Sequence, residues 1–324
     1  MQAVRSLHSI SDTVSSQLPA GLSFHGVLAA DLALNKSAGF ASWKKLLPTR
    51  TDFAASMPFT WPEELQKLLP KSAGEIVQKQ HAKFKRQRGA VAKAFPSLTR
   101  DEYLYFWLLV NTRTFYLETP ELEAYPWEDR LALLPIADLF NHADQGCHVA
   151  YSAEEGYTIT ASRRYEAGEE VFASYGDHSN DLLLAEYGFV MAENRWDAVC
   201  LDEVILPRLS QAQKKKLESN GHGGPYMLAS GSEPSRPLVA VLQMLASPGE
   251  SPPSAYVDTN KVPKLGARAE TLLKALLSEA LETAEGVMRK VQDSQAGEPM
   301  QRDMLYHRWQ QIESILSRAI DRSN

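Results

Sequence analysis

Cysteine is nearly absent from this sequence: two residues in 324, Cys147 and Cys200. Two cysteines cannot build a disulfide framework or a four-cysteine zinc site. Such usage fits a reducing compartment, so the expected location is cytoplasmic or nuclear. No apolar run reaches the roughly eighteen residues a membrane span requires, so no membrane partner is expected. Excess positive charge is also missing. Lys and Arg number 34 against 40 Asp and Glu, a net charge of −6, which argues against direct nucleic-acid binding. Neither a Walker nor a Rossmann glycine loop occurs, and no G-x-S-x-G, which leaves nucleotide hydrolysis, hydride transfer and a serine nucleophile elbow without support. His142, Cys147, His148 and His178 lack a second spaced pair and there is no H-E-x-x-H, so no metal is expected.

What is present is enough apolar sequence, 44%, to bury a sizeable core. The opening "MQAVRSLHSISDTVSSQL" is Ser-rich with a single arginine, and reads as a frayed terminus or first helix rather than a transit peptide. From Leu22 to Leu69 the pattern is helical with interruptions, and Thr60 stands as a cap ahead of Pro62, Glu63 and Glu64. Residues 75–94 read as a basic helix, with a solvated face as the first reading and contact with an acidic partner as the second. Thr99, followed by Asp101 and Glu102, caps a buried helix over 99–112.

Past the Pro-rich "LETPELEAYPWEDR" the character changes to short strands. "GYTITA" and "EVFASY" alternate on either side of a "YEAGEE" turn carrying Gly168. Helices resume beyond Val190, broken by loops near 219–237 and 246–265. Two long amphipathic helices close the chain, over about 266–294 and 300–321. In the second, Leu305, Trp309, Ile312, Leu316 and Ala319 form one apolar stripe. The fold class is therefore α+β with segregated layers, in two domains.

The middle segment concentrates hydrogen-bonding groups and tyrosines at strand ends and turns. That composition suits a polar small molecule beside a narrow aromatic slot, and an aromatic slot attracts cations through the ring quadrupole. Taken singly, Asn141 could cap a turn, His142 could be a core histidine, and Tyr175 could cover a strand end. Arg113 could pair with Glu118 or Glu121.

In fixed order, "DLFNHAD", "GEEVFASYGDHSNDLLLAEYGFV" and its S-Y-G, S-N-x-x-L-L and Y-G-F steps span about fifty residues. This set resembles the end of a SET-domain protein methyltransferase, in the branch of the Rubisco large-subunit lysine methyltransferases. "ASWKKLLP", "MPFTWPEELQKL" and "YFWLLVNTRTFYLE" are similar to the helical insert of that group, and the tail helices to its C-terminal substrate-binding domain. The resemblance implies a SET domain over 1–190, with its insert at about 22–112 and its β-rich core at about 113–190. An all-α domain over 191–324 would follow.

It further implies methyl transfer from S-adenosylmethionine to a protein amine, usually a lysine side chain, although related enzymes act on histidine. By this carry-over Asn141 and His142 hold the cofactor, Asp138 supports the turn, Arg113 borders the cofactor site and Phe189 packs near the adenine. Tyr175 is the catalytic tyrosine beside the transferring methyl, and Tyr187 lines the lysine channel. The family also carries a G-x-G turn ahead of its insert. Residues 1–27 hold only Gly21 and Gly26, with "LSFH" between. Weak or no S-adenosylmethionine binding by these 324 residues alone is therefore expected, and a one-site micromolar titration would overturn it. The alternative reading is a catalytically impaired SET protein serving as a protein-interaction module.

Overall fold

A computed structural model describes residues 11–119, 122–152, 154–231, 233–247 and 265–322. Residues 1–10, Glu121 and most of the expected 246–265 loop thus lie outside the described residues. The fold divides into two compact units. The first holds the chain up to Thr60, Ile76–Asp177 and Glu186–Gly188; the second holds Trp61–Glu75, His178–Ala185 and the chain from Phe189 onward.

The first unit is built around helix α1 (Phe24–Leu34), most of α2 (Lys71–Ala94) and α3 (Arg100–Arg113). The sequence of α2 shows why it docks on one side only. Val77, Phe84 and Val91 recur at seven-residue spacing and are buried, as are Gln80 and Gln87 between them, whereas Lys79, Lys85 and Arg86 are exposed. The charges of Lys79, Lys85 and Arg86 thus face water, while Lys83 and Arg88 of the same helix are half-buried. Helix α3 starts at a full capping box: Thr99 Oγ1 accepts from the Glu102 amide, and the Glu102 carboxylate accepts from the Thr99 amide. From Tyr105 to Val110 every residue is buried, which requires cover on all sides. Trp107 lies at the centre of that cover. His25 meets its ring edge-on at 4.8 Å, Phe59 and Phe84 pack at 5.4 and 5.5 Å, and Gln87 Oε1 accepts its indole N–H at 2.5 Å.

Thr60 does not cap a helix. It ends a 3-10 turn, Pro58–Thr60, and its hydroxyl donates to the Met57 carbonyl at 2.8 Å. The cap position of the next turn falls to Pro62, since a residue without an N–H loses nothing there.

Among the described residues, three two-stranded antiparallel ladders supply the β structure: β1 (Thr114–Tyr116) with β2 (Leu131–Leu133), β3 (His142–Ser152) with β4 (Gly156–Thr160), and β5 (Ala198–Cys200) with β6 (Met227–Ala229). "GYTITA" becomes β4, paired through Val149 with Ile159 and Tyr151 with Tyr157. The "YEAGEE" turn forms at Gly168, whose φ of +92° is a conformation glycine adopts without a Cβ penalty. "EVFASY" departs from its alternating pattern. It makes only isolated bridges, through Ala173, because its amides go to a crossing described below.

The second unit is dominated by α4 (Arg236–Ala246), α5 (Ala267–Asp293) and α6 (Pro299–Arg322). All five stripe residues of α6 are buried, against α5, whose Leu273, Leu276, Leu277 and Ala284 face inward. The β5–β6 ladder adds a short sheet to this helical region, so the expected 219–237 loop contains the strand Met227–Ala229.

Candidate functional site

The end of α3 and the turn before β3 converge on one buried carboxylate. Asp138 sits in the 3-10 turn Ala137–Leu139 with a side chain that is 0% exposed. Arg113, at the C-terminus of α3, donates from Nη1 to the Asp138 carbonyl and lies 3.6 Å from Oδ2. Trp43 Nε1 donates to the same oxygen at 3.2 Å. Burial pushes the Asp138 carboxyl up, and Arg113 and Trp43 pull it back down. Arg113 is thus set against Asp138 rather than Glu118, which is held by Arg130 at 3.3 Å; Glu121 lies outside the described residues. Two buried atoms here, Asp138 Oδ1 and Arg113 Nε, have no hydrogen-bond partner among the described residues.

Next comes the Asn141–His142 pair and the crossing. Asn141 is exposed; its amide nitrogen donates to Glu170 Oε1 at 2.7 Å, and its carbonyl accepts from Ala173 N–H at 2.9 Å. Cys147 then brackets the same segment from the other side, donating to the Phe172 carbonyl at 2.7 Å and accepting from the Ser174 amide at 3.1 Å. Residues 172–174 are thus gripped by the two ends of 141–147. Gly146 makes the close approach feasible: a Cβ there would lie 2.5 Å from the Ala173 carbonyl carbon. This crossing occupies the backbone of "EVFASY", and that is why no regular strand forms.

The crossing delivers Tyr175. Its amide donates to His142 Nδ1 at 3.0 Å, which places any proton of a neutral imidazole on Nε2. Its hydroxyl donates to the Phe140 carbonyl at 2.7 Å. The His142 and Tyr175 rings lie 5.0 Å apart, and Tyr187 completes the group at 5.2 Å from Tyr175. Burial raises the Tyr175 phenol, and burial with the Glu186 charge pushes Tyr187 up to about 12. Both phenols therefore stay protonated and uncharged near neutral pH.

Arg113, Asp138, Asn141, His142, Tyr175 and Tyr187 all belong to the first unit, whereas Phe189 belongs to the second, where its amide points to the Leu183 carbonyl. Sequence reasoning missed Trp43, Phe140, Gly146, Gln80, Asn111 and Glu186. Each acts through a partner more than twenty residues away, for which only Gly146, a glycine inside a strand pattern, left a local trace. Among the described residues no group of three His, Cys, Asp or Glu side chains is placed to hold a metal ion.

Residues 43–176 match the SET domain family model. The chain is 33% identical over 210 residues to the ribosomal lysine N-methyltransferase set11 of Schizosaccharomyces pombe, covering 61% of this chain and 54% of that one. It is 31% identical over 245 residues to human SET domain-containing protein 4, covering 69% and 56%. It thus spans about half the length of these relatives. A solved structure of Rubisco LSMT bound to sinefungin and monomethyllysine aligns with a TM-score of 0.59 at 15% identity, covering 99% of this chain and 78% of that one. Residues 43–176, which hold the Asn-His pair and the threaded crossing, thus carry a SET domain, and the chain shares its fold with Rubisco LSMT.

Proposed function

We propose that this protein transfers a methyl group from S-adenosylmethionine to a lysine side chain of a protein substrate. The observation that carries the reading is the facing pair Tyr175 and Tyr187, with the Tyr175 hydroxyl tied to the Phe140 carbonyl. When bound, the cofactor supplies an electrophilic methyl group on a sulfonium. The chain's own residues fit such a molecule. Beyond the contact between these two side chains, the buried atoms Asp138 Oδ1 and Arg113 Nε have no hydrogen-bond partner among the described residues, which suits the ammonium and carboxylate of an amino-acid end. Asn141 and His142 lie one turn further on, in the place where the family resemblance puts cofactor contacts.

An attacking lysine must be neutral. A slot walled by two uncharged phenols and an imidazole disfavours the ammonium by desolvation, so it releases its proton more readily. The rings also hold the amine in line, where effective concentration lowers the barrier. Tyr175 is the residue we assign to the reacting centre. Residues 191–324 are read as the helical domain that receives the protein substrate. The name of the Schizosaccharomyces pombe relative, a ribosomal lysine N-methyltransferase, supports the choice of acceptor. We place the protein in the cytoplasm or nucleus, in keeping with its two free cysteines; imaging of a fluorescent fusion checks this.

Radiolabel transfer on a cell extract tests the activity. Label incorporated by the wild type and lost in Tyr175→Phe supports it. No label above background from the wild type favours the protein-interaction reading instead.

A further inference from the structure

Tyr187 closes a π-type turn, Leu183–Tyr187, a rare geometry that gathers at functional sites. The residue before it, Glu186, is not a solvated charge. Its Oε2 accepts from Gln80 Nε2 and from Asn111 Nδ2, both at 2.8 Å, and Asn111 also donates to the Glu186 carbonyl at 3.2 Å. Gln80 comes from α2 and Asn111 from α3, so the carboxylate is fixed to the two largest helices of the first unit. With Lys79 and Lys83 these residues line a cavity of about 160 Å³.

The other side of Tyr187 is equally constrained. Gly188 has φ +79°, and a Cβ there would lie 2.9 Å from both Met57 Sδ and Ser56 Oγ. The chain is therefore closely packed or hydrogen-bonded immediately before and immediately after Tyr187. The ring in turn stands 5.2 Å from Tyr175.

We infer that Glu186 is a positioning residue: its carboxylate, gripped by Gln80 and Asn111, sets the Tyr187 ring against Tyr175 and so fixes the width of the amine slot. The part that concerns turnover rests on the proposed methyl transfer; the part that concerns ring placement does not. A carboxylate serves here because it accepts two strong hydrogen bonds on one oxygen, and charge-assisted bonds hold geometry more firmly than neutral ones.

The test uses the full chain with tyrosine labelled at the ζ carbon, the Tyr187 resonance being assigned by Tyr187→Phe. Glu186→Ala is expected to move that resonance, and Glu186→Gln, whose amide oxygen accepts the same bonds, to return it most of the way. In turnover, Glu186→Ala lowers kcat by about 10-fold to 100-fold, the loss expected when a reacting geometry slips by a fraction of an ångström to 1 Å. KM for S-adenosylmethionine stays within about 2-fold, because binding common to ground and transition states is untouched. Should Glu186→Ala fail to fold by circular dichroism, Asn111→Ala and Gln80→Ala each remove one bond and should each give a smaller movement in the same direction. A Tyr187 resonance unmoved by these changes overturns the inference. If the wild type transfers no methyl, the functional reading falls, and the resonance alone still decides the role of Glu186.

Discussion

Arg308 Nε donates to Asp181 Oδ1 at 2.7 Å, with both side chains almost wholly out of water, at 0% and 4% exposure. A second carboxylate, Asp197, takes Nη1 at 2.7 Å. One guanidinium thus serves two buried acids in the second unit, placed by α6, the Asn180–Leu182 turn and the start of β5. Burial pushes the Asp181 carboxyl up and Arg308 draws it back. Arg308→Leu strips both acids of their partner and should cost about 3–5 kcal/mol, because an uncompensated buried charge is far worse than an exchanged pair. Urea unfolding followed by circular dichroism reads this as a lower midpoint at unchanged slope.

Gly146→Ala should disrupt the crossing at 172–174. The added methyl meets backbone, not a movable side chain, so relief requires the two segments to separate. A loss of roughly 1–3 kcal/mol is expected for such overpacking. Amide exchange should rise at Cys147, Ala173 and Ser174, whose N–H groups hold the crossing; unchanged protection there would show that the backbone absorbs the methyl.

Trp43→Phe removes the indole bond to Asp138 while keeping an aromatic body. The carboxylate, whose Oδ1 has no hydrogen-bond partner among the described residues, loses one of those at Oδ2. The expected cost is about 1.5–3 kcal/mol, as for other hydrogen bonds to charged groups, read as a lower midpoint in urea. The Asp138 carboxyl should also rise further, since the Trp43 bond is one of the influences holding it down.

His25 gives stability a pH dependence. Burial, and then the nearby Lys83 ammonium, hold its pKa well below the ordinary 6.5. Folded His25 is therefore neutral where unfolded His25 binds a proton. Below about pH 6.5 the unfolded state takes up more protons, so stability is present above that pH and falls as the pH drops toward the folded pKa. The slope approaches about 1.4 kcal/mol per pH unit. His25→Leu should flatten the curve between pH 7.5 and 5.5; a variant as steep as the wild type would assign the slope to other groups.

The division between legible and hidden features follows sequence distance. The start of α3 could be read directly, because a capping box needs only Thr99 and Glu102, three residues apart. The apolar stripe of α6 was equally plain, and so was the Gly168 turn. Among site residues, the ordered motif marked Asn141, His142, Tyr175 and Tyr187, and the structure groups them in the first unit. Thr60 misled, since a threonine before Pro and Glu is a fair cap, yet its hydroxyl found the Met57 carbonyl instead. Arg308 was invisible inside its stripe, for a single cation on a helix face reads as solvated unless its acids are known to lie over it.

What the sequence by itself determined is therefore local and periodic: helix starts, buried faces, turns, and a motif ordered well enough to mark a SET domain. Tertiary structure alone decided that 172–174 would pass between Asn141 and Cys147, that Asp138 would meet Arg113 and Trp43, and that Gln80 and Asn111 would close on Glu186. The last two partnerships bridge 106 and 75 positions. Hydrogen bonds across such distances impose no period and no spacing on the residues that make them. They exist only after apolar burial has brought the helices together, when buried amides and carboxylates must take whatever partners the packed chain presents.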